Sequence, residues 1–223
     1  VESPEIEHVA DVRNHWWWRS GWKVGRHFYA CHLTFEDQPC VQQLVLDYQT
    51  ALAGLSGLDL IPGRWLHLTM QGIGFTDEIT EGEIVAVTTA LRDRFRTVTP
   101  PVVTFYRPAV WPDAITLPAT PASGLRQLRQ DAYDVIQAVL GHDRMHEPAE
   151  TIVQYRPHVS VAYINAPGPA QPIVGALGDA RSEPVTTALD SASVLTFHRD
   201  NRMYEWTTAT RLPIGQDSQG GED

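Results

Sequence analysis

Between residues 26 and 35 the chain reads RHFYACHLTF, apolar and polar positions alternating in a way that predicts a strand with two distinct faces. The next stretch, QPCVQQLVLDYQTALAGL, changes to apolar residues at helical spacing and runs until Gly54 and Gly57, so a helix follows. The pattern then returns. PGRWLHLTMQGIGF reads as a strand opened by Pro62 and Gly63, and TEGEIVAVTTALRDRF as a helix with acidic residues in its first turn and arginines in its last, as the helix dipole favours. PPVVTFYRPAV and DAITLPA predict two more strands, SGLRQLRQDAYDVIQAVLG an amphipathic helix capped by Ser123 and ended by Gly141. VQYRPHVSVAYI predicts a strand whose start is set by Pro157, and VTTALDSASVLTFH with MYEWTTATRLPI an antiparallel pair turned around Asp200. Strands outnumber helices, so the expected class is α+β, with helices covering one face of mainly antiparallel sheets.

Residues 1–14 are acidic and aperiodic and are expected to form a flexible arm; 215–223 are small and polar and read as a disordered tail. The 200 residues between them suit one domain with a sizeable core. No run approaches the roughly 18–20 apolar residues of a membrane helix, and the first residues show neither a basic start nor an apolar signal region. A cytoplasmic protein is expected. Cys31 and Cys40 are the two cysteines, too few for a disulfide framework and wrongly spaced for a zinc ribbon.

The formal charge of −10 argues against a protein that coats nucleic acid, since backbone binding needs an excess of cations. It leaves room for a small phosphate ligand. Lys23 is the one lysine among 17 basic residues, and arginine suits bidentate phosphate contacts, although a compositional bias explains this more simply.

Candidate chemistry lies in two strands. In HLTM, His67 and Thr69 share one face while Leu68 and Met70 take the other; in HVSV, His158 and Ser160 share a face against Val159 and Val161. With nine histidines in the chain, about one such match arises by chance, so context must carry the argument. Each pair follows a proline-marked entry and occupies a corresponding place in one half of the chain, which would let two sheets face each other with the imidazoles across a cleft. One imidazole could then accept a proton while the other gives one, and the hydroxyls could donate to phosphate oxygens. No metal or other cofactor is called for. His142 and His146 have the i, i+4 spacing of zinc ligands but lack the usual glutamate and follow a helix-stopping glycine, so no metal site is assigned.

PGRWLHLTM together with RPHVSVAY resembles the paired His-x-Thr/Ser motifs of the 2H phosphoesterase superfamily, which includes LigT-like 2′-5′ RNA ligases and cyclic nucleotide phosphodiesterases. The order of elements from about residue 26 to 214 is similar as well. The resemblance implies a bilobal fold: two mainly antiparallel sheets with outer helices, related by pseudo-twofold symmetry around a central cleft. It also implies hydrolysis of 2′,3′-cyclic phosphate or 2′,5′-phosphodiester bonds by His67 and His158 with Thr69 and Ser160, and possible RNA ligation. Many ligase-like members carry an arginine shortly after the second motif, where this chain has Tyr163; a lost cation there weakens the case for ligation.

Binding candidates are Phe28 and His32, which share a strand face with Thr34, and Tyr155, Arg156 and Tyr163 around the second motif. Trp16, Trp17, Trp18 and Trp22 are expected to pack an N-terminal segment onto the body rather than form a lid. The expected partner is a nucleotide or RNA-end phosphate bound by a monomer, without a membrane. A nucleotide sensor with little catalysis, or a phosphoesterase for a small metabolite, are the alternatives.

Overall fold

The computed structural model describes residues 6–146, 154–180 and 182–215. In chain order the elements are β1 (Asp11–Val12), β2 (Phe28–Thr34), α1 (Pro39–Leu52), β3 (Leu58–Leu60), β4 (His67–Phe75), α2 (Glu81–Phe95), β5 (Val102–Phe105), β6 (Ala109–Val110), β7 (Ala114–Thr120), α3 (Ser123–Leu140), β8 (His158–Ile164), β9 (Gly168–Pro169), α4 (Gln171–Asp179), β10 (Val185–Ala188), β11 (Ser191–His198) and β12 (Glu205–Pro213). The class is α+β with antiparallel strand pairing throughout.

Two lobes emerge from the pairing. In the first, β4, β2, β11 and β12 lie side by side; in the second, β8, β7, β5 and β10 do, with β3 added to β8 and β6 to β7. The lobes join where β4 meets β8, at the pair Leu68 and Val159. The motif strands therefore do not face each other from separate sheets, as the sequence suggested. They are neighbours, because the apolar residue between each histidine and hydroxyl seals the seam from below: Leu68 and Val159 are both fully buried.

The helices cross between lobes. α1 follows β2 of the first lobe yet packs on β8, β10 and α4 of the second, and α3 follows β7 of the second yet packs on β4 and α2 of the first. α1 turns Val41, Leu44, Val45, Tyr48 and Leu52 inward, the spacing read from the sequence. In α2 the Thr80 hydroxyl accepts from the Glu83 amide while the Glu83 carboxylate accepts from the Thr80 amide, a reciprocal cap. Thr80→Ala is expected to lower stability by about 1 kcal/mol in urea unfolding, without changing activity.

Several expectations need correction. Ser123 does not cap α3; Ala122 occupies that position, with no side-chain hydrogen bond. Gly141 does end the helix, in the left-handed region at φ 91°. The stretch 185–198 is two strands, since the chain leaves the edge of the second lobe after Ala188 and enters the first at Ser191. Likewise 100–110 breaks between β5 and β6. The short β3 and α4 were not anticipated. The arm expected over 1–14 is packed from Val9 onward: the Val9 amide donates to the Val110 carbonyl, and Val12 pairs with Gly168 and is buried. Residues 1–5 and 216–223 lie outside the described residues. Among the described residues no helix is long and apolar enough to cross a membrane.

Candidate active site

Strand alternation puts Leu68, Met70, Val159 and Val161 into the core with no exposure, so His67, Thr69, His158 and Ser160 must leave on the opposite side. Continuing the antiparallel register one residue each way from Leu68 and Val159 sets His67 opposite Ser160, and Thr69 opposite His158. Each imidazole thus stands beside the other motif's hydroxyl. The backbone fixes both rings alike. His67 Nδ1 lies 2.8 Å from the Trp65 carbonyl and His158 Nδ1 lies 2.8 Å from the Arg156 carbonyl. A carbonyl only accepts, so Nδ1 carries the proton and Nε2 is the nitrogen left for chemistry.

Burial dominates the electrostatics. It pushes His67 down to about 4; the bond to Trp65 opposes this, and the nearby His158 and His15 add to it. His32 stacks on His67 at 5.0 Å between centroids and is driven to about 3 by its own burial and by His67. It is a neutral ring that walls the site. His158 is also lowered by burial and by the Arg156 guanidinium, while its bond to the Arg156 carbonyl and the Asp113 carboxylate push back. His67 is the more readily neutral of the pair, and His158 is the more open to the cleft.

Both motifs open into a cleft of about 610 Å³. Its wall includes all nine residues singled out from the sequence: Phe28, His32, His67, Thr69, Tyr155, Arg156, His158, Ser160 and Tyr163. Not all sit as expected. Tyr155 is buried, and its hydroxyl donates to the Thr69 carbonyl at 2.6 Å, so it braces the first motif instead of lying at a solvent-facing loop edge. Arg156 is exposed and lies over Trp111 at 4.3 Å, and Trp111 contacts His158 at 4.5 Å. Tyr163 stacks on His15 at 4.3 Å, and burial raises its phenol well above the usual range. Phe28 joins Trp22, Phe75 and Phe197 in an aromatic cluster at one end.

Other wall residues were not assigned to the site from the sequence, Trp22 having been read as packing. His15, Arg19 and Trp22 come from the tryptophan-rich segment, which is tied down by the bond from Trp16 Nε1 to Asp59 at 2.7 Å; Trp17 and Trp18 remain half exposed. Arg129 comes from α3, and Arg199 and Tyr204 from the β11–β12 connection. Arg19, Arg129, Arg156 and Arg199 thus face a cleft whose one carboxylate, among the described residues, is Asp113, in a chain of net charge −10. Arg199 is buried, and among the described residues no carboxylate pairs with it. The site is a local positive field on an acidic protein, suited to an anionic ligand. His142 and His146 do not converge: the first meets Gln137, the second packs on Phe28.

The profile of the 2′-5′ RNA ligase superfamily matches residues 41–201. The chain belongs to that superfamily. Solved structures agree on the fold. TT0787 of Thermus thermophilus is 21% identical with a TM-score of 0.61, covering 86% of this chain and 99% of its own. LigT of E. coli, crystallised with 3′-AMP, is 15% identical with a TM-score of 0.57, covering 86% and 98%. LigT crystallised with ATP gives 15% and 0.52 over the same shares. None of the curated proteins matches the chain.

Proposed function

We propose that this superfamily member hydrolyses 2′,3′-cyclic phosphate or 2′,5′-phosphodiester bonds of nucleotides or RNA ends by two-histidine acid–base catalysis, without a metal. The observation that carries the reading is the pair of imidazoles, each held through Nδ1 by a backbone carbonyl two residues earlier, in an arginine-rich cleft. In ring opening, neutral His67 accepts a proton at Nε2 from the attacking water. The bond from phosphorus to the ribose oxygen breaks, and His158 delivers the Nε2 proton to that oxygen. Thr69 and Ser160 donate to the non-bridging oxygens as their charge grows. The nucleotide-bound LigT structures support a nucleotide as the ligand class.

Such a pair makes kcat/KM bell-shaped in pH. Activity falls below about pH 4, where His67 becomes protonated, and falls again as His158 loses its proton below the ordinary histidine value of 6.5. The optimum is therefore expected on the acid side of 6.5. The profile is measured on a 2′,3′-cyclic mononucleotide with chelator present. Turnover that vanishes in chelator, or a profile flat from about pH 4 to 8, would overturn the mechanism. Saturable binding without turnover would assign the protein to nucleotide sensing instead.

A further inference from the structure

Beyond the catalytic cleft lies a second cavity of about 340 Å³ that shares two wall residues with it, Trp111 and Arg156. Arg107 and Arg126 complete a trio of guanidinium groups around this cavity, and Glu7 is its one carboxylate among the described residues. All three arginines are exposed, and among the described residues none makes an ion pair. Each is anchored in a way that leaves donors over. Arg107 Nη2 donates to the Gly178 carbonyl at 3.3 Å, Arg126 Nε donates to the Tyr155 carbonyl at 3.2 Å, and Arg156 lies over Trp111. The chain has 27 acidic residues, so three neighbouring arginines without a carboxylate partner are a local inversion of its charge. Thr120 and Ala122 also line the cavity and bring the start of α3, which no side chain caps.

We propose that this cavity binds a second phosphate of the substrate, the phosphodiester one nucleotide away from the reacting group. The inference rests on the phosphoesterase reading and narrows it: the preferred substrate is an oligonucleotide end rather than a mononucleotide. The connection is Trp111, which touches His158 on one side and Arg156 on the other. A chain whose terminal phosphate sits between the imidazoles passes this ring and meets Arg156, then Arg126 and Arg107. Arginine forks bind phosphate oxygens in pairs, which suits this seat better than a carboxylate or an apolar group.

The test compares a 2′,3′-cyclic mononucleotide with a dinucleotide ending in the same cyclic phosphate. For the intact protein, kcat/KM is expected to be at least about tenfold higher on the dinucleotide, with the advantage shrinking as salt is raised. Arg126→Gln should raise KM for the dinucleotide about tenfold, as loss of a charge-assisted hydrogen bond does, and leave the mononucleotide unchanged. Glu7→Gln should act in the opposite direction and lower the dinucleotide KM. A merely structural role for Arg126 would shift both substrates together and would not be mirrored by Glu7→Gln. Equal kcat/KM for the two substrates, or Arg126→Gln without effect on the dinucleotide, would overturn the second site while leaving the two-histidine reading intact. No turnover of either substrate, with dinucleotide binding still weakened by Arg126→Gln in a direct titration, would reject the catalytic reading and keep the site.

Discussion

His67→Ala and His158→Ala are each expected to reduce kcat on a 2′,3′-cyclic nucleotide by on the order of 10²–10⁴-fold, the range for loss of a positioned acid or base. The double variant should be little worse than the poorer single one. Proton removal from water and proton delivery to the ribose oxygen belong to one displacement, so losing either partner already forfeits most of what the pair supplies. The two singles should differ in their pH profiles. His67→Ala should lose the acid limb, since no group then needs to be neutral, and His158→Ala the alkaline one. Exchanged limbs would exchange the roles of base and acid; full turnover in either variant would remove that histidine from the mechanism. Thermal unfolding run alongside separates chemistry from stability, because His67 is itself buried and stacked on His32.

Leu68→Ala is expected to lower stability by about 2–5 kcal/mol in urea unfolding, the usual span for emptying a fully buried leucine site. It should also impair catalysis in molecules that remain folded. Leu68 forms the β4–β8 pair with Val159 and lies between His67 and Thr69, so a cavity there loosens the spacing of both motifs. Val159→Ala removes less volume and should cost less. Because the two side chains meet at the seam, the double variant should depart from additivity by at least about 0.5 kcal/mol. Strict additivity would mean that the seam does not couple the motifs.

The motifs were readable from sequence because a strand has period two: once His67 shares a face with Thr69, the burial of Leu68 decides which face meets the ligand. The pairing of β4 with β8 was not readable, since alternation assigns faces and says nothing about which strand lies next door. Helix spacing identified α1 and α3, whereas α4, with Gly175 and Gly178 among nine residues, has a composition that hides it. Ser123 looked like a cap by residue type, but the chain enters the helix one position earlier. The rest of the cleft wall is assembled by long-range contacts. His15 and Tyr204 are joined by a 3.0 Å hydrogen bond across 189 residues, a separation that no local pattern spans. Tyr163, chosen because the family resemblance implied an arginine near that place, lines the cleft; the cations of this site come instead from Arg19, Arg129, Arg156 and Arg199.

The crossing of α1 and α3 also bears on what half of this chain would be by itself. A fragment ending before β5 would hold β2 and β4 without α3 to cover them, and α1 without the strands it covers. Neither half is therefore a folding unit by itself, and the two lobes must form together.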